Sequence, residues 1–388
     1  MTDKLKKNKK IRILFVAERK DELYDWLSSI LSKEFTVEEF YFHSDIFNPP
    51  FFLKRWFLVI KIWRRLIKKF NPDKIIVYGK AMTSIWIFIL LVRLFRLKKE
   101  IIVFRYDIEY FRPYNLKGLK PKIGHFVTRK LEKFCFLRAD KIIHKGLLNE
   151  LEYLPFYHKI KDKPHYLFRE FLNPKLTQNY NPNTKLSKKD HEFHLVTHGA
   201  LPLENLPYSD SIWEFYPKIT NQKIHLHIYI KVDKLTENKL KKIESEDLYF
   251  HYGGYLSRKE LLKEISKYDY GLYLTSWNRA KINNNYSVVT AMGYRIFDYI
   301  SAHLPIICSD DSTAVVNLVD KYGIGFHIPY NKIYSLSQIL IKNKKKYFET
   351  IKNIDKAISD FSEYKNLIDF ISNASPQDLH LLTCILIF

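Results

Sequence analysis

Twice along this chain, short apolar runs alternate with longer stretches of helical periodicity, and such alternation restricts the fold to parallel sheets crossed by helices. In the first set Ile11–Ala17, Thr36–Phe42, Lys74–Tyr78, Glu100–Arg105 and Lys141–His144 read as strands. Helical patterns over Glu22–Ser32, Phe51–Phe70, Ser84–Leu97, Gly124–Leu137 and a short Asn149–Leu154 follow them in turn. The second set has strands at His194–Thr197, His225–Ile230, Leu248–Tyr252, Tyr270–Leu274 and Pro305–Cys308. Its helices fall at Ser209–Tyr216, Leu235–Ile243, Arg258–Ser266, Ile296–Ala302 and after Thr313 and Tyr334.

Between the sets lies NPKLTQNYNPNTKLSKKD, poor in periodic apolar positions and rich in turn-forming residues. The expectation is an N-terminal Rossmann-like domain over 1–175, a linker over 176–190 and a second Rossmann-like domain over 191–345. Helices over 346–372 are expected to pack back across the domains, and 373–388, ending LLTCILIF, has no assignment. The fold class is therefore α/β, with two doubly wound domains facing across a cleft. Ligands bind at the carboxyl ends of strands in such sheets, so a paired arrangement suits two substrates.

The 388 residues and 46% hydrophobic content are enough for two cores. A net charge of +22 favours anionic partners without choosing among nucleic acid, anionic lipid and phosphorylated ligands. The three cysteines, Cys135, Cys308 and Cys384, are far apart, which argues against a disulfide framework or a zinc site, and no metal is expected. The Lys-rich start and the early Glu18 do not read as a signal peptide. No apolar run approaches the roughly 20 residues of a membrane-spanning helix. A cytoplasmic protein is expected.

The segment from His251 to Phe326 carries the most information. It reads HYGGYLSRKELLKEISKYDYGLYLTSW, then, after a polar insert, YRIFDYISAHLPIICSD and YGIGF. This resembles the donor-binding half of the GT-B glycosyltransferases, above all glycosyltransferase family 4. The resemblance implies a GT-B architecture and an enzyme that uses a nucleotide-sugar as co-substrate, with no tightly bound cofactor. Gly253 and Gly254 would let backbone approach a ligand, an ordinary turn being the other reading. Gly293, Tyr294 and Arg295 would present amides and a positive charge to a diphosphate at a helix N-terminus. Asp298 matches the family's ribose-binding Glu, Tyr299 beside it is a further donor-side candidate, and Ala302, Pro305 and Ile306 fit the surrounding pattern. His198 and Gly199, at the end of the second domain's first strand, could line the phosphate site.

Three residues depart from that pattern. Thr290 occupies the position of a second acidic residue, His303 replaces a Gly, and Asp298 is one methylene shorter than Glu. Retention of anomeric configuration is thus unsupported, and an inverting branch stays open. In the N-terminal half, IRILFVA, VFRYDIEYFRP and ADKIIH match more loosely. Asp107 and, more weakly, Glu18 are candidates for the catalytic base or for orienting the acceptor. His144 is either a structural histidine or an acceptor contact.

From Ile46 to Pro72 there is no acidic residue, while basic and aromatic residues interleave. Lys54, Phe57, Leu58, Lys61, Arg65 and Lys68 would form a face suited to an anionic bilayer, as a lipid-linked acceptor requires. A crossover helix with a solvated basic face is the alternative. The leading function is sugar transfer to a cell-surface glycan or lipid-linked saccharide. A sugar-nucleotide epimerase on the same fold would need further acid and base groups around the sugar, and none can be picked out. The charge and aromatics also admit a nucleic-acid-binding protein, but no motif of the right spacing appears, so nucleic acid is not the expected partner. Asp310 and Asp311 read as helix-capping residues rather than metal ligands.

Overall fold

The computed structural model describes residues 10–17, 22–41, 67–79, 97–105, 119–145, 150–168, 172–199, 211–274 and 293–373, with a few isolated positions between them. The chain divides into two compact units, 1–169 with 364–388, and 170–363. Each is built on a six-stranded parallel sheet.

In the first unit the strands are β1 (Arg12–Ala17), β2 (Thr36–Tyr41), β3 (Lys74–Gly79), β4 (Glu100–Arg105), β5 (Lys141–His144) and β6 (His165–Leu167). They lie in the order β2-β1-β3-β4-β5-β6. Between their end residues RILFVA, KIIVYG and EIIVFR are apolar because both faces of a parallel sheet are covered, here in part by helices α1 (Glu22–Glu34) and α2 (Leu119–Arg138). Charge enters this core matched by opposite charge. Arg105 and Glu132 are both fully buried and joined at 2.5 Å, and Arg105 also donates to the Gly79 carbonyl at 2.6 Å. Lys74 and Lys141 meet Glu100 at 2.5 and 3.0 Å, side by side at the starts of their strands.

The second unit contains β7 (His194–His198), β8 (His225–Tyr229), β9 (Phe250–Gly254), β10 (Tyr270–Tyr273), β11 (Ile306–Ser309) and β12 (Gly325–Ile328). Helices α3 (Lys234–Glu246), α4 (Arg258–Ile265), α5 (Tyr294–Ser301), α6 (Thr313–Tyr322), α7 (Leu336–Asn343) and α8 (Tyr347–Ser362) alternate with or follow them. The order β12-β11-β10-β7-β8-β9 is that of a doubly wound nucleotide-binding sheet, so the strand order reverses between β7 and β10. Local signals agree with this: Ser257 and Glu260 form a reciprocal capping box that starts α4, and Gly323, at φ 61°, ends α6.

Two expectations about organisation change. Residues 176–190 are part of the second unit rather than a linker. They include a turn of helix at Ser187–Asp190, and Lys185 is buried with its ammonium donating to the Tyr268 and Ser266 carbonyls at 2.5 and 3.0 Å. Polar composition hid this anchoring, because a lysine stem buries as readily as an apolar side chain once its head finds acceptors. The helices expected over 346–372 belong to different units: α8 to the second, and α9 (Lys365–Ser372) to the first. There the carbonyls of Phe370 and Ser372, together with that of Asn373, accept from Lys141 and Lys74.

Candidate active site

The candidate site lies at the carboxyl ends of β7–β9, beside the point where the strand order reverses. β10 approaches β7 through the pair Gly271↔Val196, and α5 packs onto both strands through Tyr299. A Cβ on Gly271 would lie 2.4 Å from the Tyr299 ring, so only glycine allows this approach. The fully buried Tyr299 hydroxyl lies 2.9 Å from the Leu272 carbonyl and 3.2 Å from that of Val196. Tyr299 therefore fixes the helix on the sheet and is not a donor contact, as its place in the motif had suggested.

Charged groups gather around the start of α5. Arg258 Nε donates to Asp298 Oδ1 at 2.9 Å, and His198 Nε2 lies 3.7 Å from Asp298 Oδ2. Arg295 donates to Thr197 Oγ1 at 3.2 Å and lies 5.8 Å from the centre of the Tyr273 ring. Arg258 similarly covers Tyr294 at 5.3 Å. Burial first, then the Arg295 and Arg258 guanidinium groups, hold the His198 imidazole well below its ordinary pKa, so this ring is neutral. Gly199 follows at φ 82°, where a Cβ would come 3.9 Å from Arg295. The cap of α5 is Gly293, which has no side chain to offer the first-turn amides beside this basic corner.

Next to it is a pocket of about 340 Å³, lined among others by His198, Gly199, Tyr229, Lys231, Tyr255 and Leu261. Tyr255 is 70% exposed and Lys231 reaches over its ring at 5.6 Å. Two guanidinium groups, a lysine and a helix N-terminus suit a diphosphate, the neutral Tyr surfaces suit a planar base, and a buried carboxylate suits a diol.

Residues 214–368 match the family model described as the C-terminal domain of glucosyltransferase 3-like proteins. Among solved structures, WaaG, a glycosyltransferase of lipopolysaccharide biosynthesis, superposes with a TM-score of 0.57 at 10% identity, over 93% of this chain and 100% of that one. The chain carries the GT-B glycosyltransferase fold. A putative UDP-N-acetylglucosamine 2-epimerase from Listeria monocytogenes shares it, with a TM-score of 0.56, 11% identity and coverage of 89% and 91%. So does the S. aureus protein MnaA, whose structure was solved with UDP, at 0.52 and 14%, over 92% and 97%. No curated protein matches by sequence.

Within the GT-B fold the sequence-nominated residues sort into groups. His198, Gly199, Gly293, Tyr294, Arg295 and Asp298 come together. The helix carrying three of them begins at Tyr294, two residues before the expected Ile296, so these amides lie in its first turn rather than ahead of it. Gly253 has a packing role: a Cβ there would sit 2.1 Å from the Tyr229 ring. Gly254, at φ 72°, faces open space and ends β9. His144 is fully buried at the end of β5, and burial pushes its pKa down to about 4, which fits a core histidine and not an acceptor contact. Asp107, Glu18, Lys54, Phe57, Leu58 and Lys61 lie outside the described residues. Arg65 and Lys68 are helical and exposed. Among the described residues no helix is long and apolar enough to cross a membrane.

Sequence reasoning missed Arg258, Thr197, Lys231 and Tyr255. Arg258 had left a signal: a basic residue opening a helix opposes the helix dipole, an unfavourable placement that a nearby anion would offset.

Proposed function

We propose that this protein transfers a sugar from a nucleoside diphosphate sugar to a hydroxyl of a cell-surface glycan or a lipid-linked saccharide. The observation that carries the reading is the corner formed by Arg258, Arg295 and Asp298 at the start of α5, in a unit that matches a glucosyltransferase family model. Arg295 and the first-turn amides would bind the diphosphate and stabilise the charge that grows on it as the glycosidic bond breaks. Asp298 would accept hydrogen bonds from the ribose hydroxyls, with Arg258 orienting it. Tyr255, at the pocket rim, is placed to stack on the base. The MnaA structure with UDP supports a uridine nucleotide as the first to try. For the base that takes the acceptor's proton the sequence nominates Asp107 and Glu18. The donor binds and leaves as a co-substrate.

The test is calorimetric titration with a panel of nucleoside diphosphates, repeated on Asp298→Ala and Arg295→Ala. Selective binding of one diphosphate, weakened by both substitutions, is the expected result; no binding to any would sink the assignment. Turnover then separates the two chemistries of this fold. Release of the diphosphate only when an acceptor is present marks a transferase, whereas conversion of the sugar without an acceptor marks an epimerase. A lipid-linked acceptor further calls for a protein at the cytoplasmic face of a membrane, held there through Arg65, Lys68 and their neighbours. Sedimentation with anionic vesicles at low salt tests this, and failure to co-sediment would remove the membrane from the proposal.

A further inference from the structure

At the opposite end of β7–β9, four imidazoles share one face of the sheet. His225 and His227 are two residues apart on β8, and the strand register pairs His194 of β7 with His225 and His227 with His251 of β9. The His194 and His225 rings stack at 4.3 Å with an angle of 6° between their planes, and those of His227 and His251 at 4.4 Å and 17°. Two of the rings point their Nε2 atoms at carboxylates on the rim. His194 Nε2 is 2.8 Å from Asp190 Oδ2; His225 Nε2 is 2.7 Å from Glu192 Oε2 and 3.9 Å from Asp190 Oδ2. Ligand atoms of Asp190, His194 and His225 all lie within 4.8 Å of one another.

We propose that Asp190, Glu192, His194 and His225 form a binding site for one divalent first-row transition cation, with zinc the best fit. Two imidazole nitrogens and two carboxylate oxygens make a four-coordinate zinc set. The absence of sulfur disfavours soft ions, and two oxygens are too few for calcium or magnesium. Bonds of about 2.0–2.1 Å to a tetrahedral centre put ligand atoms roughly 3.3 Å apart. The Asp190 oxygen lies 2.8 and 3.9 Å from the two imidazole nitrogens, and the Glu192 oxygen, 2.7 Å from the nitrogen of His225, would swing in to complete the set. The carboxylate side chains, 39% and 36% exposed, can move to close the set and admit the ion, while the rings, 5% and 11% exposed, are held.

The second pair of imidazoles completes the geometry. His194 Nδ1 lies 2.9 Å from His227 Nε2, and His225 Nδ1 lies 2.8 Å from His251 Nε2. With the ion on Nε2, each ligand ring carries its proton on Nδ1 and donates it to the histidine behind, which fixes ring orientation and tautomer. Before the ion binds, the Nε2–H groups of His194 and His225 donate to Asp190 and Glu192, and both hydrogen bonds to the histidines behind run the other way.

Four protein ligands leave no open position, so the ion is structural. It joins the segment just before β7, at Asp190 and Glu192, to the first residues of β7 and β8. It sits roughly 13 Å from the His198 end of β7, at about 3.3 Å per residue.

The test uses tag-free, chelator-stripped full-length protein titrated calorimetrically with zinc chloride, and with cobalt(II) as a spectroscopic probe. Expected are saturable one-to-one binding, a rise in melting temperature and the visible absorption of tetrahedral cobalt. Asp190→Ala with Glu192→Ala, and separately His225→Asn, should weaken binding at least tenfold, and His227→Ala about tenfold. The exposed His158→Asn should change nothing. Nucleotide affinity measured on the same variants shows that they remain folded, which matters most for the buried histidines. Absence of one-to-one binding, or undiminished affinity in the Asp190/Glu192 double variant, overturns the proposal.

Discussion

His194 and His198 begin and end the same five-residue strand, and their surroundings are opposite in character. At the carboxyl end one imidazole lies between two guanidinium groups and beside a buried carboxylate, a corner built to receive negative charge. At the amino end stacked imidazoles face two carboxylates, a corner built to receive positive charge. Both histidines are kept neutral by burial, yet the chemistry around each follows from the charged neighbours rather than the ring. A parallel sheet makes this division natural, since its two edges end in different loops and each can be specialised alone.

The strongest test of the division is at the carboxyl end. Asp298→Ala and Arg295→Ala should each weaken nucleoside diphosphate binding by roughly 10- to 100-fold, the equivalent of about 1.5–3 kcal/mol for a charged hydrogen bond, with zinc affinity unchanged by calorimetry. A parallel loss of both affinities would break the separation of the two ends. Gly253→Ala should then lower stability by about 1–3 kcal/mol in denaturant titration, because the new methyl overlaps the Tyr229 ring, and should distort the pocket that Tyr229 lines. Undiminished stability would show that this ring is free to move.

Acid should weaken the metal-free protein in a defined window. The His251 pKa is lowered to about 4 by burial and by His225 and His194, and His194 is lowered too. The unfolded chain binds these protons near pH 6.5 and the folded one only at lower pH, so stability is complete above about 6.5 and is lost as pH falls toward 4. Thermal melts across that range should show the fall, and His251→Asn should make it shallower; an unchanged slope would remove the amino-end cluster as its source. Tyr255→Ala should have the smallest effect, a loss of base stacking that lowers nucleotide affinity severalfold, read by the same calorimetry.

The alternating pattern made the two doubly wound sheets legible, and largely apolar strands such as RILFVA and EIIVFR were found almost to the residue. The strands β6 and β12 escaped because HYL and GFHI are short edge strands that lack the apolar run marking the equally short interior strands such as KIIH. At the carboxyl end, Asp298 and Arg295 could be read from the motif. Arg258 could not, since its contact with Asp298 spans 40 residues. The histidine cluster was half visible. The H-x-H spacing at 225 and 227 sets two rings on one face, but only strand register shows that His194 and His251 fall opposite them. Cysteine spacing and an acidic loop carry no information about histidines brought together from separate strands.

Because α9 belongs to the first unit, that unit is interrupted in sequence by the whole of the second. During synthesis, Glu170–Glu363 must leave the ribosome before the helix that completes the earlier sheet, a delay of roughly 10–40 s at ordinary rates of elongation. Through that interval Lys74 and Lys141 have Glu100 but lack the carbonyls of Phe370, Ser372 and Asn373. The nascent N-terminal unit thus waits, incomplete, for its last helix, and the second unit is the first that can finish folding.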